Sequence, residues 1–215
     1  MTRRMAGFTL VEVLVAMMVM AIMAGMAWQG VDGIVRARDA SQGRLEQTLR
    51  MNTVIAQWEH DLASIQDSSA VPQALSCDGA SVRLIRRTPI GLQVVAWTLR
   101  PRNIGNTWQR WAGPPATTTG ALQDSWLRSL QLQGDEPGQV NTLTGISQWQ
   151  VYFFQGNAWS NCQSTGNLAA APVPASGASA VAARQALPKG VRIVLGFAEG
   201  SGVNGELTRD TVLGP

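Results

Sequence analysis

The chain has little with which to do chemistry. Its 215 residues include one histidine, His60, one lysine, Lys189, and two cysteines, Cys77 and Cys162. Two thiols and one imidazole are too few for a tetrahedral metal site unless other groups contribute. No calcium-type Asp-rich loop is present either, so neither a metal nor a cofactor is expected. A single histidine also leaves no second base for a relay, and the neighbouring acids Glu59 and Asp61 point in different directions if that stretch is helical. The Glu59, His60, Asp61 cluster is therefore expected to be a solvated helix face, and no catalytic residue is expected. The formal charge is +3, and no arm or stripe gathers lysine and arginine, which argues against a nucleic-acid partner. Charged residues make up 14% of the chain, against about 25% in an average soluble domain. The deficit comes from an apolar N-terminal span and from loops rich in Ala, Gly, Ser, Thr and Gln.

Proline is absent from residues 1 to 71, so nothing there forces a helix break. MTRRMAG, residues 1–7, is short and basic, and FTLVEVLVAMMVMAIMAGMAW, residues 8–28, is apolar apart from Glu12. At ~1.5 Å per residue, twenty such residues reach about 30 Å, the thickness of a bilayer core. With Arg3 and Arg4 ahead of the span, the positive-inside bias keeps the N-terminus cytoplasmic and sends the rest outward. A cleaved secretory signal fits less well, because its apolar stretch is usually ~7–15 residues and carries no carboxylate. Beyond the span, Ile34, Leu45, Leu49, Asn52, Ile55, Trp58, Leu62 and Ile65 recur mostly at intervals of three and four. One helix is predicted from about Phe8 to about Gln66.

From Ser81 onward the period shortens to about two. SVRLIRR, GLQVVAWTLR, ISQWQVYFF and GVRIVLGFA read as strands separated by Gly, Pro and Asn turns. SWLRSLQL is a weaker strand that could equally be a short helix. Together these give an α+β chain: a long N-terminal helix whose first half spans a membrane and whose second half packs on antiparallel sheet. Residues 169–188 are biased to Ala, Pro and Ser and read as a flexible surface loop, with a short helix possible at 178–187. A GxGxxG string at Gly200, Gly202 and Gly205 has only ten residues after it, too few for a dinucleotide fold, and reads as a hairpin turn. Eight tryptophans are mainly core; Trp97, Trp126 and Trp149 fall on expected strands. Those near turns, Trp108, Trp111 and Trp159, are candidates for contacts with partners. Cys77 and Cys162 are either one disulfide, in an oxidising compartment, or two buried free thiols.

Gly7-Phe8-Thr9-Leu10-Val11-Glu12 set directly on an apolar span is the most specific motif. It resembles the class III signal of type IV pilins and type II secretion pseudopilins. That resemblance implies that a prepilin peptidase cuts between Gly7 and Phe8 and methylates the new N-terminus at Phe8, with Glu12 as the assembly carboxylate. Removal of 1–7 would take away Arg3 and Arg4 and leave about +1, by subtraction (3 − 2). Further along, LRMNTVIAQWEHDLASI, GLQVVAWTLRPR, GISQWQVYFFQGNAWSN and LPKGVRIVLGF resemble a J-type minor pseudopilin of the type II secretion system. This implies a leader at 1–7, a transmembrane helix at 8–28, an amphipathic continuation at 29–68 and a periplasmic β-rich domain at 69–215. It further implies anchorage in inner-membrane lipid and a tip complex with I-type and K-type minor pseudopilins that primes a secretion fibre. A minor pilin of a type IV pilus, or an unprocessed bitopic protein with a binding domain, are the alternatives.

Overall fold

The computed structural model describes residues 8–102, 105–164, 186–203 and 205–214. The layout is α+β. Helix α1 (Leu10–Ala63) leads, followed by β1 (Leu75–Cys77), β2 (Ser81–Thr88), β3 (Gly91–Pro101), β4 (Asn106–Ala112), α2 (Thr119–Ser129), β5 (Gln139–Gln155), β6 (Ala158–Asn161), β7 (Gly190–Phe197) and β8 (Glu206–Val212). The leader, residues 1–7, lies outside the described residues, as does the Ala/Pro/Ser loop from 169 to 185 with most of the helix expected at 178–187. Residues 186–188 are irregular.

The chain divides into two compact units, Met1–Thr48 and Leu49–Pro215. In the first, every described residue is exposed, and the helix there is long and apolar enough to cross a membrane. A helix apolar all round finds no water-facing side, which is what a lipid-embedded helix needs.

In the second unit all strand pairs are antiparallel, in the order β1-β2-β3-β4-β5-β7-β8, with β6 folded back on β5. The two faces of the sheet bury different residues. On one side Val54, Ile55, Trp58 and Leu62 of α1 pack on Val82, Leu84, Val95, Trp97, Trp108, Ile193 and Leu195. On the other, Leu122 and Trp126 of α2 pack on Ile85, Val94, Ala96 and Trp111. Strands covered on both sides lose the apolar-polar alternation, hence the near-continuous run in GLQVVAWTLR. Burying each large apolar side chain stabilises by about 1.5–3 kcal/mol.

Several sequence expectations need correction. SWLRSLQL takes the second of its two readings, since Ser125–Ser129 lie in α2 and not in a strand. Leu122, Ser125, Trp126 and Ser129 recur at three and four and share one buried face, while the hydroxyl of Thr118 accepts the amide of Ala121 as N-cap. Trp126 is thus helical. Trp108 and Trp111 lie within β4, fully buried on opposite faces, rather than near turns available to partners. The helix stops at Ala63 instead of about Gln66, and Ile65 already bridges to Arg86. The glycine string does form the turn between β7 and β8, with Gly200, Gly202 and Gly205 at φ of +80°, +82° and +98°, a region glycine enters without steric cost.

Candidate functional site

Of the motif residues, Gly7 lies outside the described set. Phe8 precedes the helix and is 85% exposed. Thr9 and Glu12 then make a reciprocal pair: the amide of Glu12 donates to the Thr9 hydroxyl oxygen at 3.4 Å, and the amide of Thr9 donates to Glu12 Oε2 at 3.4 Å. The Thr9 hydroxyl also donates to Oε2 at 3.3 Å. This is a capping box, in which an N-cap threonine and the acid three residues on satisfy two amides that the helix leaves without partners. The Thr-x-x-Glu spacing was there to be read in the sequence. Glu12 is also the acid in the first turn of α1, where a negative charge meets the positive end of the helix dipole.

The Glu59, His60, Asp61 cluster disperses. His60 is exposed, facing an open depression shared with Ser64, Gln66 and Arg87. Glu59 is bound by Arg209 Nε at 2.5 Å. Asp61 is not solvated: it is fully buried, a correction to the expected open face. Its Oδ1 accepts from Arg86 Nη1 at 2.8 Å, Arg110 Nη2 at 2.9 Å and Gln57 Nε2 at 2.9 Å. Oδ2 accepts from Arg110 Nε at 2.7 Å and Trp97 Nε1 at 2.9 Å. Arg86 is completed by Gln93 Oε1, at 2.9 and 2.7 Å. A carboxylate saturated in this way has no lone pair left for proton transfer to a substrate. Among the described residues no group of three or more His, Cys, Asp or Glu could hold a metal ion.

Around this network Trp58, Trp97 and Trp108 pack with ring centroids 4.3–5.5 Å apart, and Trp149 lies 6.2 Å from Trp108. They are core aromatics. Trp159 is half-buried beside Phe154, with the guanidinium of Arg192 4.4 Å from its ring centroid.

Three carboxyls are held below their ordinary values. Burial pushes Asp78 up, but hydrogen bonds from Arg83 and Ser81 outweigh it. In Glu136, burial is likewise outweighed by the amides of Gln133 and Gly134. Asp210 is lowered first by its hydrogen bonds from Arg192, both at 2.6 Å. A depressed folded-state value contributes stability that is present above the unfolded value, near 4, and lost as pH falls through the folded one. The urea midpoint should therefore be flat near neutrality and fall below about pH 4, and Asp78→Asn should flatten that fall. Equal wild-type midpoints at pH 3 and pH 6 would contradict this.

Cys77 at the end of β1 and Cys162 just after β6 form a disulfide, Cα atoms 5.8 Å apart and 85 residues apart in sequence. Closing such a loop removes unfolded-state entropy worth about 4–5 kcal/mol in the chain-entropy model. Thiol labelling of the unfolded, unreduced protein should find no free cysteine, and reduction should lower the unfolding midpoint. Two labelled thiols per chain would overturn the pairing.

Among known families, residues 2–28 match the model of the prokaryotic N-terminal methylation motif. No curated protein matches the chain. The matched stretch takes in Gly7, Phe8, the Thr9–Glu12 cap and the apolar helix up to Trp28. The chain thus carries, at its N-terminus, the class III signal of type IV pilin-like proteins.

Proposed function

We propose that the protein is a minor pseudopilin of J type in a type II secretion system. On this reading it is cut at Gly7-Phe8, methylated at Phe8 and held in the inner membrane by residues 8–28, with its sheet domain in the periplasm. It joins I-type and K-type minor pseudopilins in a tip complex that primes the fibre for export of folded proteins. The observation that carries the reading is the match over residues 2–28, with its charge at Glu12, four residues beyond Phe8. The methylation motif points to a structural subunit acted on by a prepilin peptidase, and the long helix ahead of an antiparallel sheet suits that role. Intact mass of the membrane-extracted protein tests it: the expected species lacks residues 1–7 and carries one added methyl group. A full-length mass would refute it. In a deletion strain, lost protein secretion supports the type II assignment, whereas lost surface fibres would move the protein to a type IV pilus.

Glu12 separates assembly from insertion. In a lone chain the capping box and the shallow end of the span accommodate the carboxylate, and removing a charge favours lipid. Among packed helices water is excluded, and the carboxylate then meets the α-amine of a neighbouring Phe8. Glu12→Gln should be cleaved and inserted at wild-type levels but recover at least tenfold less partner pseudopilin on co-purification. Thr9→Val removes the hydroxyl of the capping box and keeps the charge, so it should recover partners normally. Equal loss in both variants would assign Glu12 to helix capping alone.

A further inference from the structure

Besides the partly exposed Glu59–Arg209 pair at the β8 edge, the contacts of α1 with the sheet are of two kinds. Val54, Ile55, Trp58 and Leu62 bury apolar surface, an attraction proportional to area and almost indifferent to direction. Asp61, on the same buried face, makes five hydrogen bonds, drawn from Gln57 on its own helix and from three different strands. Arg86 lies on β2, Trp97 on β3 and Arg110 on β4, and the sheet register sets Trp97 directly opposite Arg110. Hydrogen bonds weaken steeply away from their preferred geometry. A slip of α1 by one residue rotates it by about 100° and advances it ~1.5 Å. Neighbouring apolar side chains could refill much of the lost contact, whereas the carboxylate would leave all four sheet-borne bonds and strand two arginines.

We propose that Asp61 is the register pin of α1: it fixes the rotation and axial position of the helix's last turns on the sheet, while the apolar residues around it supply the adhesion. Three strands and one helix meet at a single carboxylate, so one alignment of helix and sheet satisfies the site. The proposal is independent of the assembly role above.

The test measures alignment apart from stability. The full chain in detergent, its two native cysteines paired, carries spin labels at Ala56→Cys on α1 and Arg87→Cys on β2, both exposed positions. The wild-type background should give one narrow distance distribution. D61L/R86M/R110L, which replaces the triad with apolar groups, should stay folded with a melting temperature close to wild type and at least double the width of the distribution or split it. V54A, which trims adhesion and leaves the pin, should melt earlier with the narrow distribution unchanged. A folded triple variant with the wild-type distribution overturns the proposal, as does a broadened V54A. Failure of the triple variant to fold also overturns it, since the triad would then be a source of stability and not of alignment.

Discussion

Asp61→Ala should lower the melting temperature by roughly 6–20 °C. The substitution deletes one negative charge and leaves the guanidinium groups of Arg86 and Arg110, at 17% and 14% side-chain exposure, without their counter-charge. Breaking a buried pair from one side costs about 3–5 kcal/mol, and a domain of this size shifts by about 2–4 °C per kcal/mol. Trp97 Nε1 and Gln57 Nε2 lose an acceptor in the same step, and a donor left unsatisfied inside the fold adds to the loss. Differential scanning calorimetry of the detergent-solubilised protein decides the matter. A shift of 3 °C or less would show that water reaches the arginines once the carboxylate is gone. Glu59→Ala, two residues earlier and partly exposed in its pair with Arg209, should move the midpoint by no more than a few degrees, because solvent-accessible pairs contribute little.

Gly7→Leu should leave essentially all of the protein uncut. A peptidase has to bring the backbone at the scissile bond close to its catalytic groups, and a Cβ at that point stands in the way. The uncut chain would keep Arg3 and Arg4, so it should insert with its N-terminus on the same side. It would also keep Phe8 as an internal amide, with no α-amine to offer Glu12 of a neighbour. Insertion should survive and partner recovery should fall to background, read by immunoblot of membranes and by co-purification. Edman sequencing of the wild type should begin at Phe8. A wild-type sequence starting at Met1, or efficient cleavage of Gly7→Leu, would remove the basis of the processing assignment.

Local period was enough to find α1, β2, β3 and β7, since each is long or strongly apolar. It failed where tertiary burial overrode it. NTWQRWA became β4 because Trp108 and Arg110 face α1 while Trp111 faces α2. That alternation is hidden when both faces bear tryptophan. SWLRSLQL stayed open between strand and helix because only its first five residues, Ser125–Ser129, are helical, and the cap that starts its helix, Thr118, lies seven residues earlier. Asp61 was misread for a more instructive reason. Adjacent helix residues diverge by about 100°, which rightly separates it from Glu59 and His60, but the same geometry puts it three residues after Trp58 and on the buried stripe. Its partners carried a matching signal: Arg86 follows Val82 and Leu84 at intervals of two, and Arg110 follows Trp108. One acid and two bases each occupied an inward position. No single segment reveals that; only the folded sheet brings the three together.

The Cys77–Cys162 bond has a topological side. It closes a covalent ring containing all of β2, β3, β4, α2, β5 and β6, while α1 and the β7–β8 hairpin hang outside it. The one anion and two cations of the buried site are split by that boundary, with Arg86 and Arg110 inside the ring and Asp61 on the chain that leads to it. A single protease nick within the ring would yield two pieces that still travel as one band on a gel run without reductant. A nick between the ring and β7 would instead leave the hairpin with no covalent tie to the rest, held by its pairing with β5, the apolar contacts of Ile193 and Leu195 and the Arg209–Glu59 pair, so a cut there releases a separate piece where a cut in the middle does not.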